Sequence, residues 1–517
     1  MDDARRPHRS LIRFGRATGR DLARSAAVAD TASCRSLTSP LLEPGRNCWR
    51  VERAGRAALI VDAADYYRHA VQAMIEAEHQ IMLIGWDFDT RITLIYDEEP
   101  PCGAPATLGA FLTWLADRKP HLQIHILAWD QALLSVPARG TTFLRLLRWR
   151  FDSRIHVKWD SLHPLEGSHH QKILTIDDRV AFCGGIDMTD TRWDTRAHRD
   201  EEPGRRHPFT RRRYDPWHDA TMAVDEDAAR AIGDLARIRW GCATGEDLPV
   251  PPRSDHDPWP DGLEPHFRDT EVAVARTRAA CGKLEEIREI EALFVDMIRS
   301  ARRFVYVETQ YFASRVIAEA IAARLDEPDP PEFVIVNPRE ASGWLDEAVM
   351  SPARYELMKG IGEKDRLGRF RIYYPVTKGG EDIYVHAKIM IVDDRILRVG
   401  SANMNNRSMG LDSECDLLID SAGDKAARRT IAQLRSDLLA EHLGSEPEHV
   451  AACFGETGSL IGCIETMRGD GRTLVPLPAE EPAEPMKKMA RAELLDPEAS
   501  KESFEPRRRH LLRRLRG

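Results

Sequence analysis

HQKILTIDDRVAFCGGID (170–187) and HAKIMIVDDRILRVGSAN (386–403) are the two stretches on which the fold turns. Each reads as a short apolar strand, a DDR turn, a second apolar strand and a Gly-led loop. Both obey one rule: His, any residue, Lys, four residues, Asp, six residues, Gly. The positions are His170, Lys172, Asp177 and Gly184, then His386, Lys388, Asp393 and Gly400. One bare H-x-K-x4-D is expected roughly 0.03 times in a chain of this composition; the pair with its glycines is expected on the order of one time in a million.

Upstream of each stretch lies the same lead-in. DYYRHAVQAMIEAEHQ carries Ala70, Val71, Met74, Ile75 and Ala77 on one helical face and runs into the apolar strand IMLIGWDFD. EIEALFVDMIRSAR places Leu293, Phe294, Met297, Ile298 and Ala301 the same way and runs into RFVYVETQYF. Helix–strand alternation in both copies predicts an α/β fold of two similar domains. Each is expected to be a mixed β-sheet flanked by helices, with one active site on a pseudo-twofold axis between them. The predicted boundaries are 48–246 and 269–470, joined by a Pro/Asp-rich linker over 247–268. A basic arm (1–47) and a tail with a basic end (471–517) are expected to be disordered.

Composition narrows the function classes. The chain has 517 residues, 42% hydrophobic and 30% charged, with formal net charge −9. That balance fits a globular protein and gives no electrostatic help for coating nucleic acid, so no nucleic-acid partner is expected. Nine cysteines without CxxC spacing fit scattered core thiols in a reducing compartment. No stretch approaches a membrane span, and the N-terminus lacks the apolar core of a secretory signal. The expectation is a cytoplasmic or peripheral membrane protein, monomeric, with non-Sec export also compatible.

The chemistry follows from the spacing. Residues i and i+2 of a strand share a face, so His170 points with Lys172 and His386 with Lys388. Two such strands meeting at the pseudo-twofold axis make a site for a phosphoryl group. The lysines offset phosphate charge, one neutral imidazole attacks phosphorus, and the other, protonated, supplies the leaving alcohol's proton. Neither metal nor other cofactor is required by this scheme. Asp219 and Glu414 are candidates to orient the imidazoles, the role Asp plays in a serine-hydrolase triad. Asp177 and Asp393, at the far strand ends, are too remote for attack and are assigned to salt bridges or turn closure.

These residues resemble the two HKD motifs of the phospholipase D superfamily. IGWDFDTR (84–91), GGIDMTDTRWDT (184–195), YDPWHD (214–219), YVETQYF (306–312), the run 386–414 and LRSDLLAEHLG (434–444) resemble phospholipase D enzymes proper. The resemblance covers most of 49–445. It implies a catalytic set of His170, Lys172, Asp177, His386, Lys388 and Asp393, with His170 as nucleophile and His386 as general acid/base. It implies that Lys172, Lys388 and Asn403 hold the phosphate, and that Asp219 and Glu414 hydrogen-bond His170 and His386 respectively. It also implies a phospholipid substrate at a membrane surface, hydrolysed or transphosphatidylated through a phosphohistidine. A cardiolipin-synthase-type phosphatidyltransferase, a superfamily nuclease and a non-catalytic membrane-docking module are the alternatives. The first half departs from the usual G-S-x-N loop in having Asp187 where the second has Asn403.

Other residues are weighed against blander roles. His169 is expected on the opposite strand face. Trp86, Asp87 and Asp89, and Gln310 and Tyr311, either line the site or pack strand ends. Trp193 and Asp194 are assigned to structure, Cys183 and Cys415 to core space, and the charged stretch 199–215 to a solvated insertion.

Overall fold

The computed structural model describes residues 39–478 and 481, apart from 97–98, 131–140, 165, 254 and 342–343. The arm over 1–38 and the tail beyond 481 lie outside the described residues.

The first half supplies β1 (Arg50–Val61), β2 (Gln80–Gly85), β3 (Gln123–Trp129), β4 (Ile155–Asp160), β5 (Ile173–Ile176), β6 (Val180–Gly184), β7 (Trp217–His218) and β8 (Ala220–Asp225). The second supplies β9 (Phe267–Arg278), β10 (Ile287–Arg288), β11 (Phe304–Glu308), β12 (Glu332–Val336), β13 (Phe370–Val376), β14 (Tyr384–Val385), β15 (Ile389–Val392), β16 (Ile396–Gly400), β17 (Glu414–Asp420) and β18 (Thr473–Pro476). The strand order of the main sheet is β18-β13-β12-β11-β15-β16-β17-β9-β1-β8-β6-β5-β2-β3-β4. Outward from the central β9–β1 pair the two directions repeat the same sequence of partners. β2, β3 and β4 run parallel, as do β11, β12 and β13, whereas the hairpins β5–β6 and β15–β16 are antiparallel. The expected α/β class, with a mixed sheet and flanking helices, is what the structure shows. The two half-sheets differ from the expectation in one respect: they join edge to edge through β1 and β9, with Arg50 opposite Val274 and Ala57 opposite Phe267.

Burial explains the layers. β2 and β11 read QIMLIG and FVYVE and are buried almost throughout, which suits strands covered on both faces. One face is covered by the helices Glu226–Thr244 and Lys425–Leu443, whose Trp240, Leu438 and Leu439 share a core with strands of both halves. The other face is covered half by half, by Ala63–Glu76 and Leu108–Arg118 in the first and by Glu289–Ser300 and Arg315–Leu325 in the second.

The margins are better ordered than their composition suggests. Residues 39–47 belong to the body: Leu42 and Asn47 are buried, Ser39 Oγ donates to Asp420 Oδ2 (2.6 Å) and Asn47 Nδ2 to Asp296 Oδ2 (2.8 Å). At the other end, β18 pairs antiparallel with β13, so 471–478 extends the second half. Both segments are polar in sequence, and both are held by specific hydrogen bonds that composition does not encode. The stretch 199–215 is solvated over 209–212, as expected, but is anchored around Glu202–Arg205. Arg205 is fully buried, donating to Asp194 Oδ2 (3.1 Å) and to the carbonyls of Arg199 and Asp200.

Candidate active site

His170 and His386 open onto one cavity of about 320 Å³ between the two halves. His170 and Lys172 lie just before β5, and His386 and Lys388 just before β15, at strand entries rather than within the ladders. What holds the histidines is pairing across the halves. The His170 amide donates to the Ser413 carbonyl (3.0 Å) and the Ser413 amide to the Ser168 carbonyl (3.0 Å), which brings the start of β17 beside His170. β7 and β14 pair in parallel, and the His386 amide donates to the His218 carbonyl (2.7 Å), which brings Asp219 beside His386.

The carboxylates are therefore exchanged relative to the expectation. His170 Nδ1 lies 3.0 Å from Glu414 Oε1, and His386 Nδ1 lies 2.6 Å from Asp219 Oδ2. Asp219 does not serve His170, nor Glu414 His386, because each half's carboxylate strand begins at the other half's motif. A carboxylate accepts, so each Nδ1 carries the proton and each Nε2 is left for the cavity. Ser401 Oγ (2.5 Å) and Ser408 Oγ (2.7 Å) donate to Glu414 and fix it further. On the other side Gly185 lets the chain pass: a Cβ there would stand 2.1 Å from Asp219 Oδ1.

The lysines sit beneath the cavity, buried and not on its wall. Lys172 Nζ donates to the His170 carbonyl (2.8 Å) and pairs with Asp187 Oδ2 (3.2 Å). Lys388 Nζ donates to the His386 carbonyl and lies 3.5 Å from Gln310 Oε1, with no carboxylate in ion-pair range among the described residues. Asp187 thus occupies Asn403's place in the first half but neutralises its lysine. Asn403 lines the cavity, and its buried Oδ1 has no hydrogen-bond partner among the described residues.

The electrostatics are uneven. Burial, reinforced by Lys388, Arg192, Lys172 and His170, drives His386 well below the ordinary imidazole pKa. Burial also lowers Lys388 to about 7, against the pull of Asp219. Burial raises Asp219 above the usual carboxylate range despite Lys388. Glu414 moves the other way: burial opposes its ionisation, but His170 and the serine hydroxyls hold its pKa down.

Asp177 and Asp393 are absent from the cavity wall. Asp177 accepts the amides of Glu78 (2.6 Å), His79 (2.9 Å) and Gln80 (2.6 Å); Asp393 accepts those of Arg302 (2.7 Å), Arg303 (2.8 Å) and Phe304 (3.0 Å). Each closes its hairpin onto the entry of the neighbouring strand, β2 or β11. Neither forms a salt bridge among the described residues.

Trp86, Gln310 and Tyr311 line the cavity, whereas Asp87 accepts from Thr189 Oγ1 (2.8 Å) and Asp89 binds Arg91 (2.7 Å). His169 is buried against Asp160, Arg239 and Ser413. Asp194 holds His198, Arg205 and the Trp217 amide, and Cys183 Sγ lies 3.4 Å from the Cys415 carbonyl in the core. Among the lining residues that escaped sequence reasoning are Trp129, which stacks on Trp86 (5.8 Å between centroids), Trp217, Arg192, whose guanidinium lies 4.4 Å over Trp217, and Arg407. Trp217, Arg192 and Arg407 lie inside or beside motif segments, so proximity in sequence was the available signal. Trp129 had none.

Two exchanged histidine–carboxylate pairs over buried lysines, built on a duplicated α/β half, are an arrangement with the nucleophile, acid and cations that phosphoryl transfer needs. The chain is similar to proteins of the phospholipase D superfamily. A family model described as "Cardiolipin synthase, PLD-like domain" matches residues 294–438. Among curated proteins, phospholipase D alpha 1 of Carica papaya is 24% identical over 75% of this chain and 66% of its own length. Phospholipase D A of Dictyostelium discoideum is 26% identical over 75% of this chain and 36% of its own. The chain thus spans two-thirds or less of these relatives. A phosphatidylserine synthase structure from Haemophilus influenzae Rd KW20 superposes with a TM-score of 0.49 at 13% identity, covering 80% of this chain and 95% of that one. Among the described residues no helix is long and apolar enough to cross a membrane.

Proposed function

We propose that the protein is a phospholipase D, cleaving the distal phosphodiester of glycerophospholipids to phosphatidic acid and free headgroup. The observation that carries this is the single cavity onto which both Nε2 atoms open, each imidazole oriented by a carboxylate. His170 Nε2 attacks phosphorus, forming a P–N bond as the P–O bond to the headgroup breaks. His386 gives its Nε2 proton to the departing alcohol. His386 then takes a proton from water, whose oxygen attacks phosphorus and breaks the P–N bond. Another alcohol in place of water gives transphosphatidylation. Lys172, Lys388 and Asn403 stabilise the phosphate oxygens. The anion also offsets the cations that depress the His386 pKa, so that His386 gains its proton when substrate is bound.

The test is incubation of the full chain with phosphatidylcholine, with and without ethanol. Choline release with phosphatidic acid, and phosphatidylethanol when ethanol is present, is expected. His170→Ala and His386→Ala are each expected to lower kcat by roughly 10⁴-fold. Near-normal turnover in either folded variant overturns the mechanism. A second reading, transfer of the phosphatidyl group to a lipid alcohol, is favoured by the description of the matching family model. Product formation that requires a glycerolipid acceptor, with water and ethanol unused, selects it.

A further inference from the structure

The helix Thr141–Trp149 turns an apolar stripe away from the body. Leu144 is 64% exposed, Leu147 45%, and Phe151, just past the helix end, 84%. Their i, i+3, i+7 spacing puts them on one side of the spiral. The helix's other side is already occupied. Trp149 is buried with its Nε1 donating to Thr113 Oγ1 (3.0 Å), Thr142 Oγ1 donates to Asp89 Oδ1 (3.0 Å), and Leu146 packs on the first-half core. The stripe is therefore a second apolar face that nothing in the described fold covers.

Scattered exposed hydrophobics need no explanation, but a cluster does. Of the seven large hydrophobics exposed among the described residues, three fall in this stripe. Arg148 and Arg150 beside it are exposed and form no ion pair among the described residues. A fourth, Phe209, 78% exposed, lies in RHPFTRRR (206–213), again among exposed arginines. The helix is also placed near the chemistry. Asp89, which anchors it, is three residues beyond Trp86 on the cavity wall.

We propose that this face docks on an anionic lipid surface, with Leu144, Leu147 and Phe151 entering the interface and Arg148 and Arg150 meeting headgroup phosphates. The inference rests on the lipid-cleaving reading above. Charge selects the occupant. The chain's arginine-rich runs beyond the described residues, at 1–38 and in RRRHLLRRLRG (507–517), are repelled by Arg148 and Arg150; the more acidic stretch 482–506 is the competing occupant that the stability measurement below tests. A second copy docked face to face about a twofold axis brings arginine against arginine. An anionic membrane supplies both an apolar interior and a complementary surface.

The test uses the full chain and phosphatidylcholine vesicles with or without phosphatidic acid, which has no headgroup diester to be cleaved. L144E/L147E/F151E is expected to lose vesicle binding by roughly tenfold or more, and vesicle turnover with it. Turnover of monomeric short-chain phosphatidylcholine stays unchanged. R148E/R150E, at two exposed positions, is expected to lose the preference for vesicles containing phosphatidic acid. Vesicle binding equal to that of the unmodified protein in both variants overturns the docking face. So does loss of thermal stability in the triple variant with vesicle binding unchanged, the signature of a face covered by the chain's own ends. Absence of turnover on either substrate by the unmodified protein, with vesicle binding still lost in the variants, removes the phospholipase reading and leaves the docking face standing.

Discussion

At the residue scale, the exchanged carboxylates separate two chemical steps. Glu414 serves His170, the proposed nucleophile, and Asp219 serves His386, the proposed acid. Asp219→Asn is therefore expected to behave like a weakened His386: slow headgroup release with choline, substantially restored in the first turnover on a phosphatidyl ester of p-nitrophenol, which leaves unprotonated, while the water step, for which His386 is also the base, stays slow. Glu414→Gln is expected to stay slow on both, since P–N bond formation is impaired whatever leaves. Rescue of Glu414→Gln and not of Asp219→Asn by the good leaving group contradicts the assignment. Lys388 adds a pH limb. Its pKa of about 7 in the free enzyme means it is charged below that pH and neutral above. Measured kcat/KM is thus expected to fall as pH rises through about 7, and the limb in kcat to lie higher, because bound phosphate favours the ammonium. Much of this was legible in sequence: the His–Lys pairs follow from a local alternation. The exchange was not, since it depends on contacts between residues 244 and 167 positions apart.

At the element scale, the DDR turns decide how each hairpin meets its neighbour. Asp177 and Asp178, and Asp393 and Asp394, all have positive φ, between 52° and 56°, a conformation that Asp tolerates better than most side chains. The first aspartate of each pair takes three backbone amides, and the second reaches a helix: Asp178 binds Arg237 (2.8 Å) and Asp394 binds Arg435 (2.7 Å). Asp393→Ala leaves three amides without their acceptor and is expected to cost about 2–3 kcal/mol in denaturant unfolding, with kcat of the folded protein little changed. A large fall in kcat at unchanged stability would place Asp393 in the chemistry after all. The repeated DDR flagged a turn in the sequence. It did not reveal the recipients, because the amides at 78–80 and 302–304 lie some 90 residues upstream and offer no pattern of their own.

At the scale of the molecule, a buried polar chain runs between the halves behind the site. His218 lies between Glu308 (2.8 Å) and Glu441 (2.9 Å), Glu441 also reaches His198 (3.1 Å) and Arg196 (2.6 Å), and His442 reaches Glu308 (3.1 Å). Asp62 accepts the Asp219 amide (3.0 Å), tying the chain to the carboxylate that orients His386. Burial disfavours the His198 imidazolium, but Asp62, Asp194 and Glu441 outweigh it and raise its pKa to about 9. Glu441 is held well below the usual carboxylate range by His218 and His198, again against burial. A raised histidine gives stability that is complete below the unfolded pKa and lost as pH rises through the folded one; a depressed carboxylate gives stability that is lost on acidification. Stability is thus expected to peak between about pH 4.5 and 6.5 and to fall by on the order of 3 kcal/mol toward pH 9. In Glu441→Gln, melting temperatures across that range should show a flatter alkaline decline; an unchanged decline places its origin elsewhere. The sequence displayed His218, Glu308 and the Glu441–His442 pair in YDPWHD, YVETQYF and LAEHLG without showing that they touch, since the three segments lie in different elements.

The exchange of carboxylates also bears on how such a chain can be recombined. A crossover in the segment 247–266 keeps each half intact yet breaks both histidine–carboxylate pairs at once. Chimeras of divergent relatives joined there will inherit two mismatched couples rather than one sound and one foreign half.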